Sequence, residues 1–278
     1  MAAYDSAIER RFGDGGPSGG GDAGDNELIR RVLSRRTVRR YSDRLPAEGL
    51  LDVLVAAALS ASAKSDFQQA SILRVVDRGK RDAIGKLFPA MPWIADAPAF
   101  FVFLGDARRL QRIGEMRGKP VSNGTLEGFF NASVDAALAM QTMILCAEAE
   151  GLGVCPISVI RNEADSVAEV LGLPDLVFPV AGLCLGYPQG EGFLSLRLPR
   201  RATVHRDSYD DTALAAAVDD YDRRRDTIHA IPKGQQRANA EFGEAAFYGW
   251  SEDKARQAAK AEGAGFPPYL RSHGFSFD

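Results

Sequence analysis

The chain has 278 residues, 45% of them hydrophobic, and carries 34 Lys and Arg against 37 Asp and Glu for a formal charge of −3. That is enough to bury one large core or two smaller ones, and the acidic balance argues against a general electrostatic nucleic-acid binder. Three dispersed cysteines (Cys146, Cys155, Cys184) and three histidines without metal-ligand spacing argue against a disulfide framework or a zinc centre and fit a reducing cytosol. Neither a signal peptide nor an apolar run of the ~18 residues that a membrane span needs is read from the sequence.

Residues 1–25 read as a flexible tail, because Gly13–Asn26 is rich in Gly and Asp and has little apolar surface to offset ordering. Gly16-Pro17-Ser18-Gly19-Gly20 matches the hydrolase pattern G-x-S-x-G but lacks the strand before and helix after it. Leu28, Ile29, Val32 and Leu33 predict a helix from Glu27 to about Arg40. Pro46 opens a second helix through Leu51, Leu54, Val55 and Leu59, followed by a small, polar loop over Ser60–Ser71. Ile72–Asp77 reads as a strand, Lys80–Phe88 as a short helix and Ala99–Gly105 as a fully buried strand. Thr125–Glu150, apolar on most faces, predicts a long core or interface helix that ends at Gly151-Leu152-Gly153. Val154–Ile157 and Val180–Leu185 read as strands, and Ala164–Leu171 as a helix closed by Gly172 and Pro174. Thr212–Arg225 reads as a helix. The remaining residues are charged with scattered aromatics, the pattern of an arm laid over the core or a partner subunit. Strands interleaved with helices, without internal repeats, give a mixed α/β three-layer fold.

The chemical signal is concentrated in Ser34-Arg35-Arg36-Thr37-Val38-Arg39-Arg40, followed by Tyr41. Guanidinium forks pair bidentately with phosphate oxygens, and Thr37 adds a hydroxyl donor; on a helix Arg35 and Arg39 share a face. A solvated basic helix end, favourable to the helix dipole, accounts for the same run. There is no G-x-G-x-x-G after a strand, no P-loop, no H-E-x-x-H and no C-x-x-C, so enzyme chemistry has to come from a bound cofactor.

Several separated segments together resemble the nitroreductase superfamily, in particular its oxygen-insensitive NADPH nitroreductases and NADPH–flavin oxidoreductases. They are Ser34–Tyr41; Pro92-Trp93-Ile94-Ala95-Asp96-Ala97-Pro98; Gly151-Leu152-Gly153-Val154 with Ile160-Arg161-Asn162; Gly182–Pro188 with Leu196-Arg197-Leu198-Pro199; and Val204–Tyr209. The resemblance spans roughly Glu27 to Arg225. It implies an α+β, nitroreductase-like three-layer fold with a central, mainly antiparallel sheet flanked by helices. It also implies an obligate homodimer with a C-terminal arm, an FMN-binding core over 26–210, and a C-terminal helix and extension over 211–278.

The same resemblance implies FMN, with Arg35, Arg36, Thr37 and Arg39 at its phosphate and ribityl chain and Arg197 as a second phosphate contact. Ser65 and Gln69 resemble residues that meet the ring and ribityl chain. The backbone of Ser158 and Val159 resembles the stretch at flavin N5, and Arg161 stands near the pyrimidine edge. Lys233 and Arg237 are candidates for the 2′-phosphate of NADPH, which is favoured over NADH. The implied activity is ping-pong hydride transfer from NADPH through FMN to nitroaromatics, quinones or free flavin, with no side-chain acid or base. The implied setting is cytoplasmic, with a second copy and small electron acceptors as partners, and no nucleic acid or membrane. A same-fold flavoenzyme of different chemistry, such as dehalogenation or flavin fragmentation, and a non-enzymatic FMN-binding protein remain open. The chain departs from the family at Ser158-Val159 (Gly-Gly in relatives), Ser195 (lysine), Met91 (glutamine) and after Arg225.

Overall fold

The computed structural model describes residues 4–15 and 24–277. In chain order the helices are α1 (Asp5–Phe12), α2 (Glu27–Ser34), α3 (Glu48–Leu59), α4 (Arg78–Leu87), α5 (Trp93–Asp96), α6 (Arg108–Arg117), α7 (Leu126–Ala149), α8 (Ala164–Leu171), α9 (Leu214–His229), α10 (Asn239–Phe242), α11 (Trp250–Ala258) and α12 (Phe266–Ser272). The strands are β1 (Ala70–Arg74), β2 (Ala99–Asp106), β3 (Gly153–Ile157) and β4 (Val177–Gly186). They form two compact units.

The first unit runs from Arg36 to Phe193 and includes the C-terminal stretch from Gly263. Its strands lie in the order β1-β2-β4-β3 and every pair is antiparallel. Side chains of β2 alternate between two cores. Phe101 and Phe103 join Leu51, Leu54 and Met143 of α3 and α7, whereas Phe100, Val102 and Leu104 join Ile84, Ile94 and Val167 of α4, α5 and α8. Both faces are therefore covered, and β2 and β4 read as continuous apolar runs because neither face meets water. The three layers of the antiparallel, nitroreductase-like fold are thereby in place.

Helix α7 is the spine of this unit. Thr125 caps it, its hydroxyl accepting the Gly128 N–H at 3.2 Å. Ala132, Ala136, Ala139 and Ala147 line its buried face, and these small side chains let the helix lie close on the sheet. By length and composition α7 is also apolar enough to cross a membrane, contrary to the sequence expectation that no segment qualifies. Its alanine face is that of a core helix. The last residues return to this unit: Phe266, Phe275 and Phe277 gather around Phe129 and Phe178, whose ring centroids are 4.8 Å apart.

The second unit holds residues 4–15, 24–35 and 194–262. Its buried apolar residues include Tyr4, Leu196, Ala217, Tyr221 and Tyr248, with Tyr221 edge-on to Trp250 at 5.1 Å. It also buries Arg11, Asp222, Asp253 and Arg256; Arg11 and Arg256 donate to backbone carbonyls, Asp222 accepts the Ser251 N–H at 3.0 Å, and Asp253 pairs with Arg237. Two sequence expectations change here. The stretch read as a tail contains α1, and the hydrolase-like Gly16–Gly20 run lies outside the described residues. The expected division at 25/26 and 210/211 is not where the compact units part. Residues 26–35 and 194–210 belong with α9–α11, and residues from Gly263 belong with the sheet.

Candidate functional site

The basic run does not continue the helix. α2 stops at Ser34, and Arg35 turns extended (φ −57°, ψ 145°). Thr37 then bridges Val154 in parallel and Phe193 in antiparallel sense, and Val38 donates its N–H to the Val154 carbonyl at 3.0 Å. Tyr41 bridges Pro188, and Gln189 donates to the Arg40 carbonyl at 2.9 Å. Residues 36–42 thus run along the β3 edge of the sheet. Gly153 permits the approach, since a Cβ there would lie 2.6 Å from Val38. The shared helical face expected for Arg35 and Arg39 is replaced by extended alternation, in which Arg35, Thr37 and Arg39 fall on one side.

Each basic side chain has a distinct environment. Arg36 donates to the Gly192 carbonyl at 2.8 Å and pairs with exposed Glu191 at 3.3 Å. Arg39 lies over the Trp93 ring, 5.4 Å from its centroid, and among the described residues no carboxylate pairs with it. Trp93 is an aromatic member of the lining of a cavity of about 690 Å³ that Arg39, Arg40, Arg78 and Arg81 line together with Asp43 and Asp96. Arg81 donates to the Ala97 and Val75 carbonyls, and burial, with Arg78 nearby, lowers its pKa. Arg81 Nε and Trp93 Nε1 are buried donors without a hydrogen-bond partner among the described residues. Tyr41, also at this cavity, gives its hydroxyl to the Val38 carbonyl at 2.8 Å. Burial, reinforced by Cys184 and Cys155, pushes its phenol far above the ordinary range, so it stays a donor.

A second cavity, of about 560 Å³, opens beside the Ser60–Ser71 loop and shares no residue with the first. Gln69, expected at the ligand, is buried, its backbone tied to Asp135 and Asp106; Gln68 is the glutamine that lines the cavity. Ser65 is exposed at the turn, with φ 50°, and Asp66 and Gln68 share this left-handed conformation at 56° and 53°. Three such residues cost on the order of 1–3 kcal/mol each and persist only where the surroundings fix them. Asp135 of α7 does so by accepting the N–H groups of Lys64 at 2.9 Å and Gln69 at 3.0 Å. Arg109 closes the other side, donating to the carbonyls of Gln68 and Ala70 and to Ser71 Oγ at 2.6 Å. Neither Asp135 nor Arg109 was singled out from sequence; an acid inside an otherwise apolar helix was the available signal.

The remaining predicted residues divide between the units. Ser158 and Val159 open a 3₁₀ turn directly after β3, and Arg161, in the same turn, donates to the Val180 carbonyl at 2.5 Å, which fixes it against β4. In the other unit Arg197 is exposed and donates to the hydroxyl of Ser195 at 2.8 Å. Lys233 lies in a short 3₁₀ turn, and Arg237 pairs with Asp253 at 3.1 Å. Buried Arg256 gathers this stretch, donating to the carbonyls of Arg237 and Gly243 and to Asn239 Oδ1. His205 stacks on Tyr209 and accepts the Asp210 N–H at 3.3 Å, a structural role. Cys155 and Cys184 face each other across β3 and β4 as buried free thiols; burial raises the Cys184 pKa and keeps it protonated.

The pattern of the nitroreductase family matches residues 32–187, and that of its C-terminal domain matches residues 195–278. This chain belongs to the nitroreductase family. It is similar to an FMN reductase (NADPH) of Bacillus subtilis, 38% identical over 186 residues that cover 66% of this chain and 75% of the relative. It is 28% identical to an NADPH-flavin oxidoreductase of Vibrio harveyi over 90% of this chain and 99% of that protein. Among solved structures, NfrA2 of B. megaterium superposes with a TM-score of 0.82 at 29% identity, covering 91% of this chain and all of the other. The NADPH:FMN oxidoreductase of Vibrio harveyi, complexed with NAD+, superposes at 0.79 with 27% identity over 90% of this chain and 99% of that one. In this nitroreductase-family member, Met91, Ser158, Val159 and Ser195, the positions expected to depart from relatives, lie just after a sheet strand or in loops.

Proposed function

We propose that this chain is an FMN-dependent NAD(P)H oxidoreductase, acting as a homodimer on flat electron acceptors such as nitroaromatics, quinones or free flavin. The observation that carries the reading is the Trp93-lined cavity. Four arginines against two aspartates, an aromatic plane and two buried donors without partners suit a flat, anionic prosthetic group. The names of the relatives, FMN reductases and NADPH-dependent oxidoreductases, support the same cofactor and reductant.

FMN, when bound, would supply the hydride-transfer chemistry between NADPH and the electron acceptor expected of a ping-pong enzyme. The protein contributes binding and orientation. Arg36, Thr37 and Arg39 are the residues assigned to the phosphate and ribityl end, and Arg35 and Arg197 are assigned as further phosphate residues by family resemblance. Ser65 and Gln69 are assigned to the ring and ribityl chain by family resemblance, with Gln68 lining the cavity beside them. The Ser158-Val159 backbone is assigned to N5, and Arg161 to the pyrimidine edge, where its charge favours an anionic reduced ring. Lys233 and Arg237 are assigned to the NADPH 2′-phosphate.

Two features support a homodimer. Leu126, Phe130, Val134 and Leu138 form an exposed apolar stripe along α7, with Phe130 61% exposed, the kind of surface that a partner covers. The two cavities share no lining residue; Arg39 lines one, and Gln68, next to the expected Gln69, lines the other, an arrangement that suits a cofactor taking residues from both protomers. The deciding experiment is steady-state kinetics at varied NADPH and quinone, for which parallel reciprocal plots are expected and intersecting ones defeat the mechanism. A preparation that stays colourless after exposure to FMN removes the cofactor assignment.

A further inference from the structure

Helix α1 precedes residue 32, where the family match begins, and its contacts concentrate on two of the proposed phosphate residues. Arg11 is 5% exposed. Its guanidinium donates to the Arg35 carbonyl at 3.1 Å, and its own carbonyl accepts the Arg197 N–H at 2.9 Å. One buried residue thus ties together backbone segments that lie 162 positions apart in sequence (197 − 35).

The surrounding contacts reinforce that tie. Arg224 of α9 donates to the last carbonyls of α1, those of Glu9, Arg10 and Arg11, and also to the Arg197 carbonyl at 3.0 Å. A cation over the C-terminal carbonyls satisfies orphan acceptors and complements the helix dipole. The chain turns at Gly13 with φ 71°, a conformation that favours glycine, and a Cβ there would lie 2.7 Å from the Arg224 guanidinium, which would have to shift. Beyond it Asp14 accepts from the backbone and side chain of Arg200. At the other end the Tyr4 hydroxyl donates to the Gly24 carbonyl and accepts the N–H of Asn26, which caps α2. The N-terminal segment is therefore clasped to both strands of chain that carry Arg35 and Arg197.

We infer that Arg11 is a positioning residue for cofactor phosphate: α1 holds the Arg35 and Arg197 segments in a fixed relation before the phosphate arrives. A buried guanidinium is costly unless its donors are used, and here they fix backbone. Fixing those segments in advance removes an ordering cost that phosphate binding would otherwise bear. The inference rests on the reading that Arg35 and Arg197 are phosphate residues.

The test compares FMN with riboflavin, which lacks the phosphate, by fluorescence titration of flavin-stripped, full-length protein. Arg11→Met is expected to raise the Kd for FMN about tenfold, the loss of roughly one charge-assisted contact, while leaving riboflavin nearly unchanged. Arg11→Lys, which keeps a donor, is expected to fall between Met and wild type. An equal loss for both flavins assigns Arg11 a merely structural role and overturns the inference, as does no change for either. Arg197→Ala is the control for the underlying reading. If it leaves the FMN-to-riboflavin ratio intact, the phosphate assignment itself fails; if it lowers the ratio while Arg11→Met does not, only the positioning role is lost. Should Arg11→Met not fold, Arg224→Met loosens the same clasp from α9 and carries the same comparison.

Discussion

The carboxylate of Asp135, inside α7, accepts the backbone N–H of Gln69 at 3.0 Å and thereby holds a loop with three left-handed non-glycine residues in place. Asp135→Asn keeps the size but turns one acceptor into a donor facing an N–H. The expected loss is about 1.5–3 kcal/mol, the usual worth of a hydrogen bond to a charged group. In a domain of this size that is a fall in Tm of roughly 3–12 °C. Calorimetry reads the first effect, and faster hydrogen exchange at Gln69 locates it in the loop.

Arg36 is the residue on which the phosphate assignment within the sheet unit is most exposed to test. Arg36→Ala is expected to weaken FMN retention by about 1.5–3 kcal/mol, roughly tenfold to a hundredfold in Kd. Its partner Glu191 is 90% exposed, and surface pairs contribute little, so Glu191→Gln is expected to shift Kd by less than about twofold. Equilibrium dialysis of both variants separates loss of a cofactor contact from loss of the surface pair.

What was legible in the sequence follows from where each element gets its stability. α8 appears over the expected residues, Ala164–Leu171, because its stop is local: Gly172 takes φ 69° at the C-terminus. α6 was missed because it offers one apolar residue per turn, Leu110, Ile113 and Met116, amid five charged ones. The helix predicted to Arg40 stops at Ser34 for a non-local reason, the pairing of Thr37 with Val154 and Phe193. β4 begins at Val177 rather than Val180: Pro179 reads as a boundary, but the register shift between Phe103 and Leu104 accommodates it. The basic run and Trp93 were visible, and Asp135 stood out only as an acid in a mainly apolar helix, whereas Arg11 and Arg256 act through distant carbonyls that no local pattern encodes.

The exposed stripe on α7 predicts its own disruption. Phe130→Asp places a charge on a side chain that is 61% exposed in one chain, so the fold tolerates it, but a charge buried without a partner is costly in an interface. Light scattering is expected to show a dimer for the wild type and a monomer for the variant, with far-ultraviolet circular dichroism unchanged. FMN retention is expected to fall with dimerisation, because the two cavities on one chain share no lining.

Asp253 sets a pH dependence in the second unit. Burial raises its pKa, but hydrogen bonds and charge from Lys254 and Arg237, with the Tyr248 hydroxyl, outweigh it and hold the carboxyl below the ordinary aspartate value. A group whose folded pKa is depressed stabilises above its unfolded pKa, about 3.9, and that stabilisation disappears as pH falls through the folded value. Below about pH 4 the wild type is therefore expected to lose stability more steeply than Asp253→Asn, which lacks the titration, and thermal melts from about pH 2 to 6 read the difference. The same variant releases Arg237 from its 3.1 Å pair. If Arg237 meets the 2′-phosphate, Arg237→Ala is expected to raise KM for NADPH roughly tenfold while leaving KM for NADH unchanged, the signature of one lost charge-assisted contact. Equal changes for both reductants would place the 2′-phosphate elsewhere.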